Sequence, residues 1–205
     1  MMLPTLQACR VLPVVTANDV EATVQLAAAL LRGGMRAIEI TLRTAAALDS
    51  IRAVQAEVPD MLVAAGTVTT PAELQRVLEA DVKLVLSPGA TPALLQAARE
   101  SAVDFIPGVA SASEIMQGLD HGFEVFKLFP AELLGGRAMI RSLGGPFPGI
   151  HFCPTGGLGP DNFRDYLALP NVICCGGSWM VAAEMVDNGD WDEIEALARA
   201  AMADH

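Results

Sequence analysis

Only two lysines occur in the 205 residues, and their surroundings contrast. Lys83 precedes the apolar run Leu84-Val85-Leu86, so it opens a strand where its ammonium reaches water, and a solvated charge accounts for it. Lys127 stands in the middle of Val125-Phe126-Lys127-Leu128-Phe129, where almost any placement takes an ammonium out of water. Two readings fit such a residue. One is a structural ion pair that ties the core together. The other is a nucleophile, because burial disfavours the charged form and an uncharged amine attacks a carbonyl near neutral pH. Strand alternation puts Val125, Lys127 and Phe129 on one face.

A second polar ladder lies in 37–43, where Glu39, Thr41 and Arg43 share one face and Ile38, Ile40 and Leu42 the other. Three polar groups pointing inward are costly without mutual pairing or a ligand. Either Glu39 and Arg43 satisfy each other, or they serve as a proton carrier and an anion holder. Two glycine-rich exits, Thr155-Gly156-Gly157 and Gly176-Gly177-Ser178, follow the last two apolar runs. Each fits a tight turn. Together they fit bare backbone N–H groups that hold a phosphate.

The elements that must position these residues read as repeated βα units. Apolar, β-branched runs at Val11–Val15, Ala37–Leu42, Leu62–Thr67, Leu84–Ser87, Asp104–Pro107, Phe123–Phe129, Ile150–Pro154 and Val172–Cys175 alternate with helical stretches. That makes about eight strands, the number at which a parallel sheet closes into a barrel. Helix starts are marked by Thr70-Pro71-Ala72-Glu73, Thr91-Pro92 and Ser111-Ala112-Ser113-Glu114. A helix over Asp19–Arg32 carries one apolar stripe and stops at Gly33-Gly34. The turn Thr16-Ala17-Asn18-Asp19 holds no glycine fingerprint for a dinucleotide, which favours the barrel over a doubly wound sheet. With 205 residues and no obvious linker, a single domain over 1–205 is expected.

Composition sets limits on partners. A hydrophobic share of 52% with 18% charged residues requires most elements to be buried on at least one face. The formal net charge of -11, with no basic run, argues against nucleic acid. The uncharged stretch Tyr166–Ala183 is interrupted by Pro170, Asn171 and Gly176-Gly177, so no membrane span is expected, and a secretion signal is not expected either. The cytoplasm is the expected location. Cys9, Cys153, Cys174 and Cys175 show no CxxC and read as reduced core thiols, while His121, His151 and His205 lack metal-ligand spacing.

Six segments carry a resemblance. They are Glu39-Ile40-Thr41-Leu42-Arg43-Thr44, Ala65-Gly66-Thr67-Val68, Ser87-Pro88-Gly89, Phe126-Lys127-Leu128-Phe129-Pro130-Ala131-Glu132, Phe152-Cys153-Pro154-Thr155-Gly156-Gly157 and Gly176-Gly177-Ser178-Trp179. Over nearly its whole length the chain resembles the 2-keto-3-deoxy-6-phosphogluconate (KDPG) aldolases, which share their family with 4-hydroxy-2-oxoglutarate (KHG) aldolase. The resemblance implies an α/β (β/α)8 TIM barrel with a short N-terminal helix, and a class I aldolase of the Entner–Doudoroff pathway that uses no metal and no cofactor. Lys127 would form the Schiff base and Glu39 would shuttle protons. Arg43 would hold the substrate carboxylate with Thr67, Phe129 and Pro88 would wall the pyruvate pocket, and Thr155 would touch the substrate near the reacting end. Gly156, Gly157, Gly177 and Ser178 would grip the phosphate. The usual assembly of the family is a homotrimer, and its ligands are phosphorylated keto acids and pyruvate.

Glu39 is expected about one water from Lys127, since a carboxylate in direct contact favours the ammonium. The loop Thr16-Ala17-Asn18-Asp19 lacks basic residues that some relatives carry there. Three other enzyme readings use the same residues. A KHG aldolase would leave the phosphate loops idle, and a 2-keto-3-deoxy-6-phosphogalactonate aldolase differs by one hydroxyl configuration. A metal-free phosphosugar isomerase would use Glu39 for enolisation and need no lysine nucleophile. A binding module would keep affinity for pyruvate or phosphate without turnover.

Overall fold

The computed structural model describes residues 3–203. Its strands are β1 (Val11–Val15), β2 (Ala37–Thr41), β3 (Leu62–Gly66), β4 (Leu84–Leu86), β5 (Asp104–Ile106), β6 (Gly108–Val109), β7 (Val125–Leu128), β8 (His151–Phe152) and β9 (Cys175–Gly177). The helices are α1 (Leu3–Cys9), α2 (Val20–Arg32), α3 (Ala47–Glu57), α4 (Pro71–Glu79), α5 (Pro92–Glu100), α6 (Ala112–Asp120), α7 (Gly136–Gly144), α8 (Phe163–Leu167), α9 (Ala183–Asn188) and α10 (Trp191–Met202). The α/β alternation and the short N-terminal helix agree with the sequence expectation.

The expectation of one closed eight-stranded barrel is not met. The strands form a six-stranded parallel sheet, ordered β5-β4-β3-β2-β1-β9, and a separate three-stranded parallel sheet, β6-β7-β8. Prolines stand at both interruptions. Between β5 and β6 lies Pro107, which has no N–H to give to a ladder; its carbonyl accepts the Lys127 N–H at 2.9 Å, so the chain leaves the ladder of β4 for that of β7. On the other side, β8 meets the last apolar run only through isolated bridges, Phe152 to Val172 and Thr155 to Gly176. Pro154 lies between them, and its carbonyl accepts the Gly176 N–H at 2.9 Å. The last strand is accordingly Cys175–Gly177, not the expected Val172–Cys175.

Two apolar clusters hold the layers together. The larger packs helices on the outer faces of the strands, with Leu26, Leu30, Ile38, Ile40, Ile51 and Phe126 fully buried. The smaller gathers Leu12, Ala37, Ala64, Leu84, Leu86 and Ile106 of the six-stranded sheet with Cys153 and with Leu6 and Cys9 of α1, and Val125 of β7 packs against it. Leu6 also lines a cleft with Leu84, Asp104 and Val125, so α1 lies at the N-terminal ends of β4, β5 and β7. All four cysteines are free and buried. Burial pushes the Cys9 thiol up to about 11, and contact with Cys153 together with burial pushes Cys174 up, so these thiols resist ionisation. Among the described residues no helix is long and apolar enough to cross a membrane.

Local chemistry sets the helix starts. Asp19 caps α2 by accepting the Ala22 N–H at 2.8 Å, and Gly33 ends that helix. Thr70 accepts the Glu73 N–H at 3.1 Å while Glu73 accepts the Thr70 N–H at 3.1 Å, a reciprocal box that opens α4 behind β3. At α6 the reciprocal carboxylate reaches one residue further back, Glu114 Oε2 accepting from Ala110 N–H at 2.7 Å. Replacement of the α4 cap, Thr70→Ala, should cost about 1 kcal/mol of stability, read as a lower urea midpoint at unchanged slope. An unmoved midpoint would show that the box contributes nothing.

Candidate active site

Lys127 and Glu39 come from different sheets and meet in the interior. The Lys127 Nζ donates to Glu39 Oε1 at 2.9 Å, with side-chain exposures of only 5% and 0%. This corrects one expectation, since Glu39 touches the amine directly instead of standing one water away. Of the two readings of Glu39 and Arg43, mutual pairing is not the one seen: Glu39 meets Lys127 and Arg43 meets Thr67. Each ion is deprived of water, and the contact offsets part of the cost of burying both. Arg43 stands two residues past the end of β2, exposed in the turn that follows, where its N–H donates to the Thr41 carbonyl at 2.8 Å.

Gly66 makes room for the carboxylate. It closes β3, opposite Thr41 in the β2 ladder, and a Cβ there would stand 2.1 Å from Glu39 Oε1. Sequence reading assigned this glycine no role. The available signal was a glycine ending an apolar strand beside the strand that carries an inward glutamate. The other oxygen, Glu39 Oε2, is buried without a partner among the described residues, leaving acceptor capacity for a substrate hydroxyl or water. Thr41, by contrast, is satisfied within the fold, its hydroxyl donating to the Val15 carbonyl at 2.8 Å.

The remaining predicted residues stand just past the C-terminal ends of β2, β3, β4, β7 and β8. Arg43 is exposed at the end of β2, and its Nε donates to Thr67 Oγ1 at 3.2 Å. Thr67 holds φ +58, a left-handed conformation that a β-branched residue rarely adopts. An outlier of this kind directly after a strand marks a position that the surroundings enforce. The Phe129 ring centroid lies 5.6 Å from Lys127 Nζ, forming an aromatic wall. Pro88 is pressed against Gly108, where a Cβ would stand 2.2 Å from its carbonyl carbon, and Gly108 is the ladder partner of Lys127. Thr155 is buried, and Gly176 accommodates its hydroxyl, since a Cβ there would come within 2.2 Å of Oγ1.

The two glycine exits differ. Gly156 and Gly157 take φ +100 and +81, consecutive left-handed residues that only glycine adopts without strain. At the other exit, Gly177 leaves space for the Trp179 ring, and the Ser178 hydroxyl donates to the Val14 carbonyl at 3.0 Å. Ser178 and Arg43 line one cleft of ≈ 320 Å³ with Val14, Thr16, Asn18 and Asp19. Lys83 lies apart, exposed and paired with Asp81. Among the described residues no group of three or more His, Cys, Asp or Glu side chains could hold a metal ion. His121 Nδ1 contacts the Gln117 carbonyl at 2.8 Å, and His205 lies outside the described residues.

The profile of the family described as "KDPG and KHG aldolase" matches residues 3–197. A 2-dehydro-3-deoxy-phosphogluconate aldolase of Pseudoalteromonas atlantica is 50% identical over 193 residues, covering 94% of this chain and 90% of that protein. The crystal structure of a KDPG aldolase from Legionella pneumophila, with pyruvate captured at low pH as a covalent carbinolamine intermediate, matches with TM-score 0.95 and 42% identity over 98% of both chains. That of the 2-keto-3-deoxy-6-phosphogluconate aldolase of Zymomonas mobilis ZM4 with 3-phosphoglycerate matches with TM-score 0.91 and 39% identity, over 98% of this chain and 95% of that one. With a match that runs through both the lysine and the glutamate strands, the chain belongs to the KDPG and KHG aldolase family.

Proposed function

We propose that this chain is a class I aldolase that cleaves 2-keto-3-deoxy-6-phosphogluconate to pyruvate and D-glyceraldehyde 3-phosphate through a Schiff base on Lys127. The observation that carries the reading is the buried 2.9 Å contact between Lys127 Nζ and Glu39 Oε1. An amine must lose its proton before it attacks a ketone, and this contact supplies the acceptor within reach. The relative from Legionella, trapped with pyruvate as a covalent carbinolamine, supports the same covalent route here.

The proposed steps use this pair in turn. Lys127 passes a proton to Glu39 and its nitrogen adds to C2 of the substrate; Glu39 returns that proton to the carbinolamine oxygen, which leaves as water to give a protonated imine and a free Glu39 carboxylate. Glu39 takes the proton of the C4 hydroxyl, directly or through water, as the C3–C4 bond breaks. The bonding pair flows into the imine, forming an enamine, and glyceraldehyde 3-phosphate leaves. Glu39 returns the proton to C3, and water hydrolyses the imine to free pyruvate and the amine. The unpartnered Glu39 Oε2 is the atom available for the C4 hydroxyl while Oε1 faces the nitrogen.

Arg43, oriented by Thr67, holds the carboxylate; Phe129 and Pro88 exclude water from the pyruvate end, and Thr155 contacts the substrate near the reacting carbons. Gly156, Gly157, Gly177 and Ser178 hold the phosphate. In the ligand-free chain the Ser178 hydroxyl donates to Val14, so phosphate receives either its backbone N–H or a rotated hydroxyl. The KHG activity that shares the family's description would use the same lysine without the glycine exits.

Incubation with pyruvate and borohydride, followed by peptide mapping, should place the adduct on Lys127 and none on Lys83. Cleavage by a protein whose Lys127 stays unmodified would end the covalent route. Gly66→Ala forces a Cβ into the Glu39 carboxylate and should lower kcat by roughly 100-fold with Lys127 still present; wild-type turnover in that variant would remove Glu39 placement from the mechanism. The ratio of kcat/KM should favour the phosphorylated substrate over 4-hydroxy-2-oxoglutarate by roughly 100-fold or more. Parity between the two would assign the chain to the unphosphorylated reaction.

A further inference from the structure

Gly156 and Gly157 would be poor ligands if left to themselves, since glycine loses more backbone freedom on ordering than any other residue. The structure engages the carbonyls around them. Ala131 N–H donates to the Thr155 carbonyl at 2.8 Å and Glu132 N–H to the Gly156 carbonyl at 3.1 Å. Asn162 Nδ2 donates to the Gly157 carbonyl at 3.2 Å, and its Oδ1 accepts the Gly159 N–H at 2.9 Å. With these carbonyls occupied, the N–H groups of Gly156 and Gly157 have no acceptor among the described residues.

The side chain that covers the second glycine is itself held. A Cβ at Gly157 would stand 2.6 Å from Glu132 Cβ, so Glu132 covers the second glycine closely. The Tyr166 hydroxyl donates to Glu132 Oε1. Tyr166, on α8, is wholly buried. Its phenol oxygen is reachable because residue 136 is glycine at φ +53, where a Cβ would come within 2.4 Å of that oxygen. Burial first, and then the Glu132 carboxylate, push the Tyr166 phenol above its ordinary range, so it remains a donor at every working pH.

We infer that Tyr166 and Glu132 are positioning residues for phosphate recognition. The buried phenol fixes the Glu132 side chain, and Glu132, through its stem and its N–H, holds Gly156-Gly157 in the left-handed geometry that presents two N–H groups to the phosphate. Neither residue touches the substrate. The inference deepens the aldolase reading and rests on its assignment of the phosphate to this exit.

Tyr166→Phe removes one hydroxyl and keeps the ring, and Glu132→Gln keeps the reach and an acceptor oxygen. For Tyr166→Phe we expect KM for 2-keto-3-deoxy-6-phosphogluconate to rise about tenfold, with kcat within about twofold. Hydrogen exchange at C3 of pyruvate, which needs Lys127 but no phosphate, should run at the wild-type rate. Turnover of unphosphorylated 2-keto-3-deoxygluconate should also be unchanged. Glu132→Ala should match or exceed the loss, and Glu132→Gln should restore most of it. An unmoved KM in both Tyr166→Phe and Glu132→Ala would overturn the inference. So would an equal fall in all three reactions, which marks a merely structural role. Absence of any preference for the phosphorylated substrate in the wild-type protein would instead remove the phosphate assignment itself, and that result is recognisable before any variant is made.

Discussion

The chemistry depends on one buried ion pair between two sheets. Withdrawing a carboxylate and an ammonium from water costs several kcal/mol for each ion, and contact repays this only in part, so hydrophobic residues of similar volume would hold such a position at least as firmly. Stability therefore does not explain Lys127 and Glu39. Removing one partner alone strands the other, at about 3–5 kcal/mol. The unpartnered Glu39 Oε2 sharpens the point, because a pair built only to hold strands together would leave no buried acceptor unmet. A proton carrier needs that spare capacity.

The two-sheet arrangement puts chemistry where the ladders are interrupted. Pro107 ends the pairing of β5 with β4 and hands its carbonyl to the backbone of Lys127, while Pro154 separates the isolated bridges that join β8 to the segment leading into β9. Thr155, Gly156 and Gly157 follow this second interruption directly. Inside a continuous ladder the backbone groups are committed to neighbouring strands, and no N–H is left for a ligand. Proline and glycine at the second interruption free the donors, while Gly66 within the β2–β3 ladder and Gly176 allow the close approaches that Glu39 and Thr155 require.

Much of this was legible in the amino-acid order. Period-two alternation in 37–43 and 125–129 placed Glu39 and Lys127 on inward faces, and both prove to be buried. The helix caps at Thr70, Thr91 and Ser111 were readable because capping is local. Closure of the sheet was not, since counting apolar runs says nothing about which ladders a proline interrupts. The same limit hid the true last strand: Val172–Cys175 is the apolar run, but its ladder partner in β1 pairs with Cys175–Gly177. The direct contact between Glu39 and Lys127 was also out of reach, because it spans 88 positions and depends on the missing side chain of Gly66.

Phosphate recognition shows how a chain with a net charge of -11 and two lysines handles an anionic substrate. A lysine at the phosphate end would bring a flexible, strongly hydrated charge and a second amine into the pocket. On the proposed reading, backbone N–H groups supply direction instead, and of the two lysines only Lys127 meets the ketone. Such donors are useful only when fixed, and glycine, which alone permits consecutive left-handed residues, is the residue least able to fix itself. The fold therefore moves the rigidity one layer outward, into the Glu132 N–H, the Asn162 bridge and the buried Tyr166 phenol. A loop that must be glycine for its geometry is thereby kept rigid by neighbours that contribute no atom to the reaction.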